Sequence, residues 1–302
     1  MKRGVCPRGS AFLSAALRLL LAILASALWV PAHALQLTDD RGVTVQFTQS
    51  PQRIISLLPS LTESVCAMAQ CQRLVGVDRY SNYPASVRSL PQLGGHVDPN
   101  IEGIVALRPD VVLLATSSRA TARLESLGIK VIALDAQRHA DVQRILKKIG
   151  VLLDVPEEAG AARVWRLIDA SVSAAAQSLS PSARNVRVYF EVNRGPYAAG
   201  EASFIGESLQ RLGVKNIVPA ALGPFPRLNP EFVVRANPDI IMVGSGAMQS
   251  MLSYPGWSAI KALKNQRICI FTPEESDVVV RPGPRMAEAA RLMAACLERY
   301  AR

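Results

Sequence analysis

Aromatic residues make up only 5% of this 302-residue chain, and histidine occurs three times. Past the first 34 residues only His96 and His139 remain, too few for a His-rich zinc or manganese site, which needs three or four ligands. No G-x-S-x-G, H-E-x-x-H, P-loop or G-x-G-x-x-G is present, so no catalytic residue and no metal ligand is assigned. Runs of like charge are missing, and beyond residue 34 no stretch is long and apolar enough to span a bilayer. Cysteine is sparse, five in all, and neither the C-x-x-C nor the zinc-ribbon spacing occurs. What these absences leave is ligand capture in a cleft rather than chemistry on a ligand.

The first residues have their own pattern. Lys2, Arg3 and Arg8 precede an apolar stretch from Ala11 to Val30, which ends in Ala32-His33-Ala34. This order of charge, apolar run and A-x-A is that of a secretory signal peptide (residues 1–34), with cleavage expected after Ala34. An uncleaved anchor is the alternative; Arg18 inside the run and the cleavage signal argue against it. No cysteine stands at the cleavage point, which favours a soluble secreted protein. Removing the leader takes four basic residues and no acidic one from the formal charge of +10, leaving +6. That moderate charge gives no support to nucleic-acid binding. Four cysteines stay behind: Cys66, Cys71, Cys269 and Cys296. An oxidising compartment permits their pairing, and Cys66 and Cys71 are close enough in sequence to bridge, but the sequence leaves the pairing open.

A short block is spelled twice. Asn100–Leu113 reads N-I-E-G-I-V-A-L-R-P-D-V-V-L, and Asn229–Met242 reads N-P-E-F-V-V-R-A-N-P-D-I-I-M. Each asparagine is a preferred N-cap, and Pro230 suits a first helical position. Glu102 and Glu231 fall in first turns, where a carboxylate complements the helix dipole. Pro109 and Pro238 stop the helices, and the apolar runs that follow are those of buried parallel strands. Two matching helix–strand units imply two lobes, each offering one glutamate near a helix start. Two separated carboxylates facing the same way suit arginine pockets on a pseudo-symmetric partner.

Around these blocks the chain alternates strand and helix, which argues for parallel, helix-covered sheets. Gly42–Phe47 reads as an edge strand and Arg53–Leu57 as a strand entering the first sheet. Ser60 and Glu63 read as a capping box opening a helix. Asp154, followed by Pro156, reads as the cap of one stiff helix running to Leu179, with Val164, Leu167, Ile168, Val172 and Ala175 on its buried side. Some 24 residues at 1.5 Å each make a rod of roughly 36 Å, long enough to join two lobes. The fold expected is α/β, two Rossmann-like lobes with central parallel sheets joined by a single long α-helix. Its parts are an N-terminal lobe (residues 35–137), an interlobe helical segment (138–182) and a C-terminal lobe (183–302).

Loops carry the candidate ligand-binding residues: Tyr83, His96, Tyr197, Phe225, Asp277 and Arg281. The rings stand beside Pro or Gly rather than in periodic core positions, and they supply flat apolar area. Asp277 and Arg281 supply hydrogen bonds at a ligand's rim. Each ring could instead pin its loop to the lobe. A secreted hydrolase using the same cleft would need a nucleophile–base pair, and none is evident.

The R-I-I-S-L-L-P-S-L-T-E opening, the V-G-V-D-R-Y-S-N-Y-P loop, both N-x-E…P-D blocks and the interlobe helix resemble the helical-backbone periplasmic binding proteins of ABC importers. The resemblance covers essentially the whole chain after the leader, and it is nearest to the cobalamin-binding type. It implies a periplasmic, monomeric, non-enzymatic protein that holds a corrinoid between its lobes without a cofactor of its own; haem or a ferric siderophore is the alternative. Corrin-contacting aromatics would match Tyr83, Tyr197 and Phe225, polar contacts Asp277 and Arg281, and permease-docking glutamates Glu102 and Glu231. His96 replaces a further aromatic of that pattern.

Overall fold

The computed structural model describes Met1, residues 35–251 and residues 253–301. The leader expected at residues 1–34 therefore lies, Met1 apart, outside the described residues. A hairpin of β1 (Leu35–Thr38) and β2 (Thr44–Phe47) comes first, so the expected edge strand has an antiparallel partner. Then β3 (Ile54–Ser56), α1 (Pro59–Ala67), β4 (Leu74–Val77), α2 (Ile101–Ala106), β5 (Val111–Leu114), α3 (Thr121–Ser126) and β6 (Val131–Ala133) follow. Their strands form an all-parallel sheet in the order β4-β3-β5-β6.

Two helices come next, α4 (His139–Leu152) and α5 (Ala161–Ser178). The second sheet is built from β7 (Arg187–Asn193), β8 (Tyr197–Ala198), α6 (Phe204–Arg211), β9 (Lys215–Asn216), α7 (Pro230–Ala236), β10 (Ile240–Gly244), α8 (Ser245–Met251), α9 (Lys261–Lys264) and β11 (Ile268–Phe271). Helices α10 (Pro273–Val279) and α11 (Met286–Arg299) close the chain. The parallel strands run β9-β7-β10-β11, and β8 adds antiparallel to the second half of the β7 edge that β9 covers at its start. Strand order thus repeats between the lobes.

The repeated blocks do equivalent work in the two sheets. Asn100 Oδ1 accepts from the Gly103 N–H at 2.9 Å, and Asn229 Oδ1 from the Glu231 N–H at 3.0 Å, each capping its helix. Asp110 donates its N–H to the Arg53 carbonyl, and its carboxylate accepts from the N–H groups of Gln52 and Arg53, all at 2.8 Å. Asp239 does the same to Arg187, donating at 2.8 Å and accepting at 2.9 Å. Each Pro-Asp pair therefore fixes the register of its strand against the neighbouring parallel strand, where a one-residue slip would move every side chain to the opposite buried face.

The connecting helix is shorter than the sequence suggests. It has 18 residues, about 27 Å of rise. Asp154 does not cap it: that residue has φ +53° just past the end of α4, and turns fill the gap before Gly160. Val164, Ile168, Val172 and Ala175 are buried as the pattern requires, but Leu167 is 60% exposed on the opposite face. The buried stripe packs along α11 and α4 and belongs to one apolar cluster that includes Leu61 and Val65 of the first lobe with Phe190 and Phe204 of the second. Continuous burial of this kind resists hinge bending more than a glycine-rich linker would.

The four cysteines beyond the leader form two disulfides, Cys66–Cys71 and Cys269–Cys296, with Cα separations of 4.3 and 5.9 Å. The second ties β11 to α11. By the loop-closure argument, replacing Cys269 and Cys296 together with serine should cost about 3–4 kcal/mol of unfolding free energy. Urea titration of the double-serine variant against wild type measures it, and the Cys66–Cys71 pair, closing a far smaller loop, should cost less.

Candidate ligand-binding cleft

In an open parallel sheet, ligands settle outside the carboxyl ends of the strands, where the strand order reverses. In the first lobe that point lies between β3 and β5, at Leu57–Ser60 and Ala115–Ser118. Here a cavity of about 220 Å³ is lined by Leu58, Ser60 and Ala115 from the first lobe and by Phe204, Phe225 and Val280 from the second. Its volume is below the range for a whole drug-sized ligand. The two lobes close on each other at this floor, and a bulky ligand has to sit above it.

Beside the floor the lobes are tied by a buried ion cluster. Glu63 of α1 is 3% exposed, and its carboxylate accepts from Arg281 at 2.9 Å and from Arg285 at 2.7 and 3.0 Å. Arg281 also donates to Asn82 Oδ1 at 2.9 Å and to the Tyr80 carbonyl at 3.0 Å, and pairs with Asp277 at 2.7 Å. Asn82 completes the ring by donating to Asp277 at 2.7 Å. The expected Ser60–Glu63 capping box is therefore absent: Leu58 stands at the N-cap without a side-chain bond, and Glu63 faces the other lobe. Glu63, Asn82 and Arg285 were not expected at the site. The one trace in the sequence is the four-residue spacing of Asp277, Arg281 and Arg285, which marks a charged face.

The expected site residues do not gather at one point. Tyr83 is 47% exposed, and the Arg285 guanidinium lies over its ring at 4.5 Å. Tyr197, 38% exposed, stands on the second lobe beside Gly195, whose φ of +124° favours glycine. Phe225 is half-buried at the floor, 5.9 Å from Phe204. His96 is half-buried in the loop that Gly94 turns with φ +84°, and its Nε2 lies 3.3 Å from Ser117 Oγ. Among the described residues no carboxylate bonds this imidazole, so the Ser–His contact lacks the third member of a catalytic set. Asp277 and Arg281 sit in the ion cluster, and Arg281 is only 7% exposed with its terminal nitrogens occupied. Arg281 thus braces the loop that carries Tyr83 from behind. Glu102 and Glu231 are exposed in the first turns of α2 and α7. Each helix feeds a parallel strand, so each glutamate lies toward the strand ends that border the cleft.

Two more carboxylates are buried, one in each lobe. Asp78 holds the Tyr80–Pro84 loop: it accepts from Ser81 Oγ at 2.6 Å and the Tyr80 N–H at 2.7 Å, and Ser81 links on to Thr62. Burial pushes its pKa up despite these bonds. Glu191, on β7, is 1% exposed; Tyr189 donates to one oxygen at 3.1 Å and, among the described residues, the other has no partner. Burial without an opposite charge raises its pKa to about 7.

A profile of the family described as "Periplasmic binding protein" matches residues 54–275. The chain is 28% identical over 271 residues to an uncharacterised ABC transporter substrate-binding lipoprotein of Bacillus subtilis, covering 85% of this chain and 83% of that one. It is 26% identical over 251 residues to a vitamin B12-binding protein of Pectobacterium atrosepticum, covering 80% and 86%. Among solved structures, a possible iron-binding (periplasmic solute-binding) protein from Staphylococcus epidermidis superposes with a TM-score of 0.69 at 27% identity, covering 82% of this chain and 99% of that one.

Two outcomes are expected of the buried carboxylates. Glu63→Ala removes the carboxylate shared by buried Arg281 and half-buried Arg285, leaving Arg281 only Asp277 as counter-charge, and should lower the unfolding free energy by about 3 kcal/mol, measured by urea denaturation. For Glu191, the unfolded chain releases its proton near pH 4.5 while the native state keeps it until about pH 7. The native state binds more protons across that window, so stability falls as pH rises through it. Wild-type minus Glu191→Gln unfolding free energy should fall by about 3 kcal/mol between pH 4.5 and pH 8.

Proposed function

The chain belongs to the periplasmic binding protein family, and on that premise we propose that it captures a corrinoid between its lobes and delivers it to an ABC permease. The observation that carries this is the cleft itself. Two sheets of the same strand order turn their carboxyl ends to a common seam, and each lobe presents an exposed tyrosine on a braced loop, with Phe225 at the floor. A flat macrocycle gains stacking area from such rings without requiring them to move far. The name of the Pectobacterium relative supports a corrinoid in particular.

In this proposal Tyr83, Tyr197 and Phe225 contact the ring system, Asp277 accepts hydrogen bonds at its edge, and Arg281 positions the Tyr83 loop. Residues 1–34 direct export to the periplasm, with cleavage after Ala34. Residues 35–137 and 183–302 form the two lobes, residues 138–182 connect them, and the protein acts as a monomer without a cofactor. Glu102 and Glu231, one per lobe, dock on the permease through charge-assisted bonds to its arginines. A second reading, haem or a ferric siderophore, is favoured by His96, whose imidazole can reach a metal centre where a further aromatic would only stack.

Calorimetric titration with cyanocobalamin should give saturable one-to-one binding. No heat with cyanocobalamin, alongside tight binding of haem or a ferric siderophore, moves the assignment to the second reading. Glu102→Ala combined with Glu231→Ala should leave ligand affinity unchanged and abolish uptake through the cognate permease. Normal uptake by that double variant refutes the docking role.

A further inference from the structure

We propose that a separate cavity in the second lobe is a subsite for a carboxylate arm of the captured ligand, with Arg194 as its counter-charge; this rests on the cleft reading above. The cavity, about 380 Å³, is lined by Asn193 and Arg194 after β7, by Gly244–Gly246 after β10, and by Ser276 on α10. These are the carboxyl ends between which the second sheet reverses its strand order, the counterpart of the floor cavity in the first lobe. Its volume is near the low end for a whole drug-sized ligand, so a macrocycle can place only an arm in it.

The charge pattern decides what kind of arm. Arg194 is the only charged residue in the lining, and the other polar side chains are the amide of Asn193 and the hydroxyls of Ser245 and Ser276. By contrast, the seam cavity at Tyr83 is lined by the four carboxylates of Glu274, Glu275, Asp277 and Glu288 against the two guanidinium groups of Arg88 and Arg285, a net negative lining that disfavours an anion. Arg194 donates Nε–H to the Gly246 carbonyl at 2.8 Å, which lays the guanidinium against the cavity wall. Among the described residues its two terminal nitrogens have no hydrogen-bond or ion-pair partner. Arg227 is held the same way on the far side of the Tyr197 loop, donating Nε–H to the Gly195 carbonyl at 3.0 Å. A guanidinium pinned through Nε keeps its outer pair of N–H donors directed outward, the geometry that takes a carboxylate in a bidentate pair. Little side-chain entropy then remains to be lost on binding.

Four probes test this, titrated into the purified protein with tryptophan fluorescence as the readout. They are cyanocobalamin, its monocarboxylic acid derivative, iron protoporphyrin and its dimethyl ester. On whichever ring binds, the form with more carboxylates is expected to bind at least about tenfold tighter than its amide or ester counterpart. Arg194→Gln should bring the two forms within about threefold, and Arg194→Lys, which keeps the charge, should retain part of the preference. Equal binding of acid and neutral forms by wild type overturns the subsite and leaves the cleft reading standing. An equal loss on both forms in Arg194→Gln also overturns it, since that marks a structural role. If none of the probes binds, the subsite and the cleft reading fall together. Inorganic phosphate is expected to leave the acid preference intact; its abolition by millimolar phosphate would make the cavity a site for free anions and overturn the ligand-arm assignment.

Discussion

A carboxylate almost wholly removed from water is tolerable only where cations and hydrogen bonds replace its hydration. Glu63 is such a group, and both guanidinium groups that compensate it come from the other end of the chain, at Arg281 and Arg285. This single requirement joins α1 of the first lobe to the α10–α11 segment of the second. Through Asn82 and the Tyr80 carbonyl the same cluster fixes the loop that presents Tyr83. The mutual placement of the lobes and the shape of one cleft wall therefore follow from one buried charge.

The rest of the frame acts in the same direction. The α5 stripe is buried in a core shared by both lobes, so bending at the connector would expose apolar area along its length. Near the start of α4, the His139 N–H donates to Glu207 Oε2 at 2.6 Å, and the Phe204 N–H to the Gln137 carbonyl at 2.5 Å, a second polar tie between connector and second lobe. Against this rigid frame Tyr83 and Tyr197 are exposed, and among the described residues the terminal nitrogens of Arg194 and Arg227 have no partner. In the proposed reading the site is preformed, and recognition depends on what the rim side chains offer rather than on large closure.

The sequence disclosed what depends on near neighbours. The Asn-x-Glu…Pro-Asp blocks folded as read because caps, helix stops and the strand starts that follow are set within a dozen residues. The parallel lobes followed from that alternation, and the tyrosine loops were visible from their Pro and Gly neighbours. The Ser60–Glu63 spacing was misleading because a capping box and a long-range ion pair use the same residue types. Its true partners lie more than 200 residues away, and no local pattern reports such a distance. Asp154 failed for a related reason: aspartate suits both an N-cap and a left-handed turn, and the end of α4 claimed it for the second. The unpartnered oxygen of Glu191 had no sequence signal, because an alternating strand pattern does not say which polar residue lacks a neighbour.

The most direct test of a rigid, clasped pair of lobes is the distance between them in solution. Spin labels on exposed positions of opposite lobes, at Ala122 on α3 and Lys264 on α9, report it by pulsed dipolar spectroscopy. The account predicts one narrow distance that shifts by less than about 2 Å on ligand binding and broadens when Glu63 is replaced by glutamine. A broad or two-state distribution in the wild-type protein, or an unchanged one in the Glu63 variant, would contradict it.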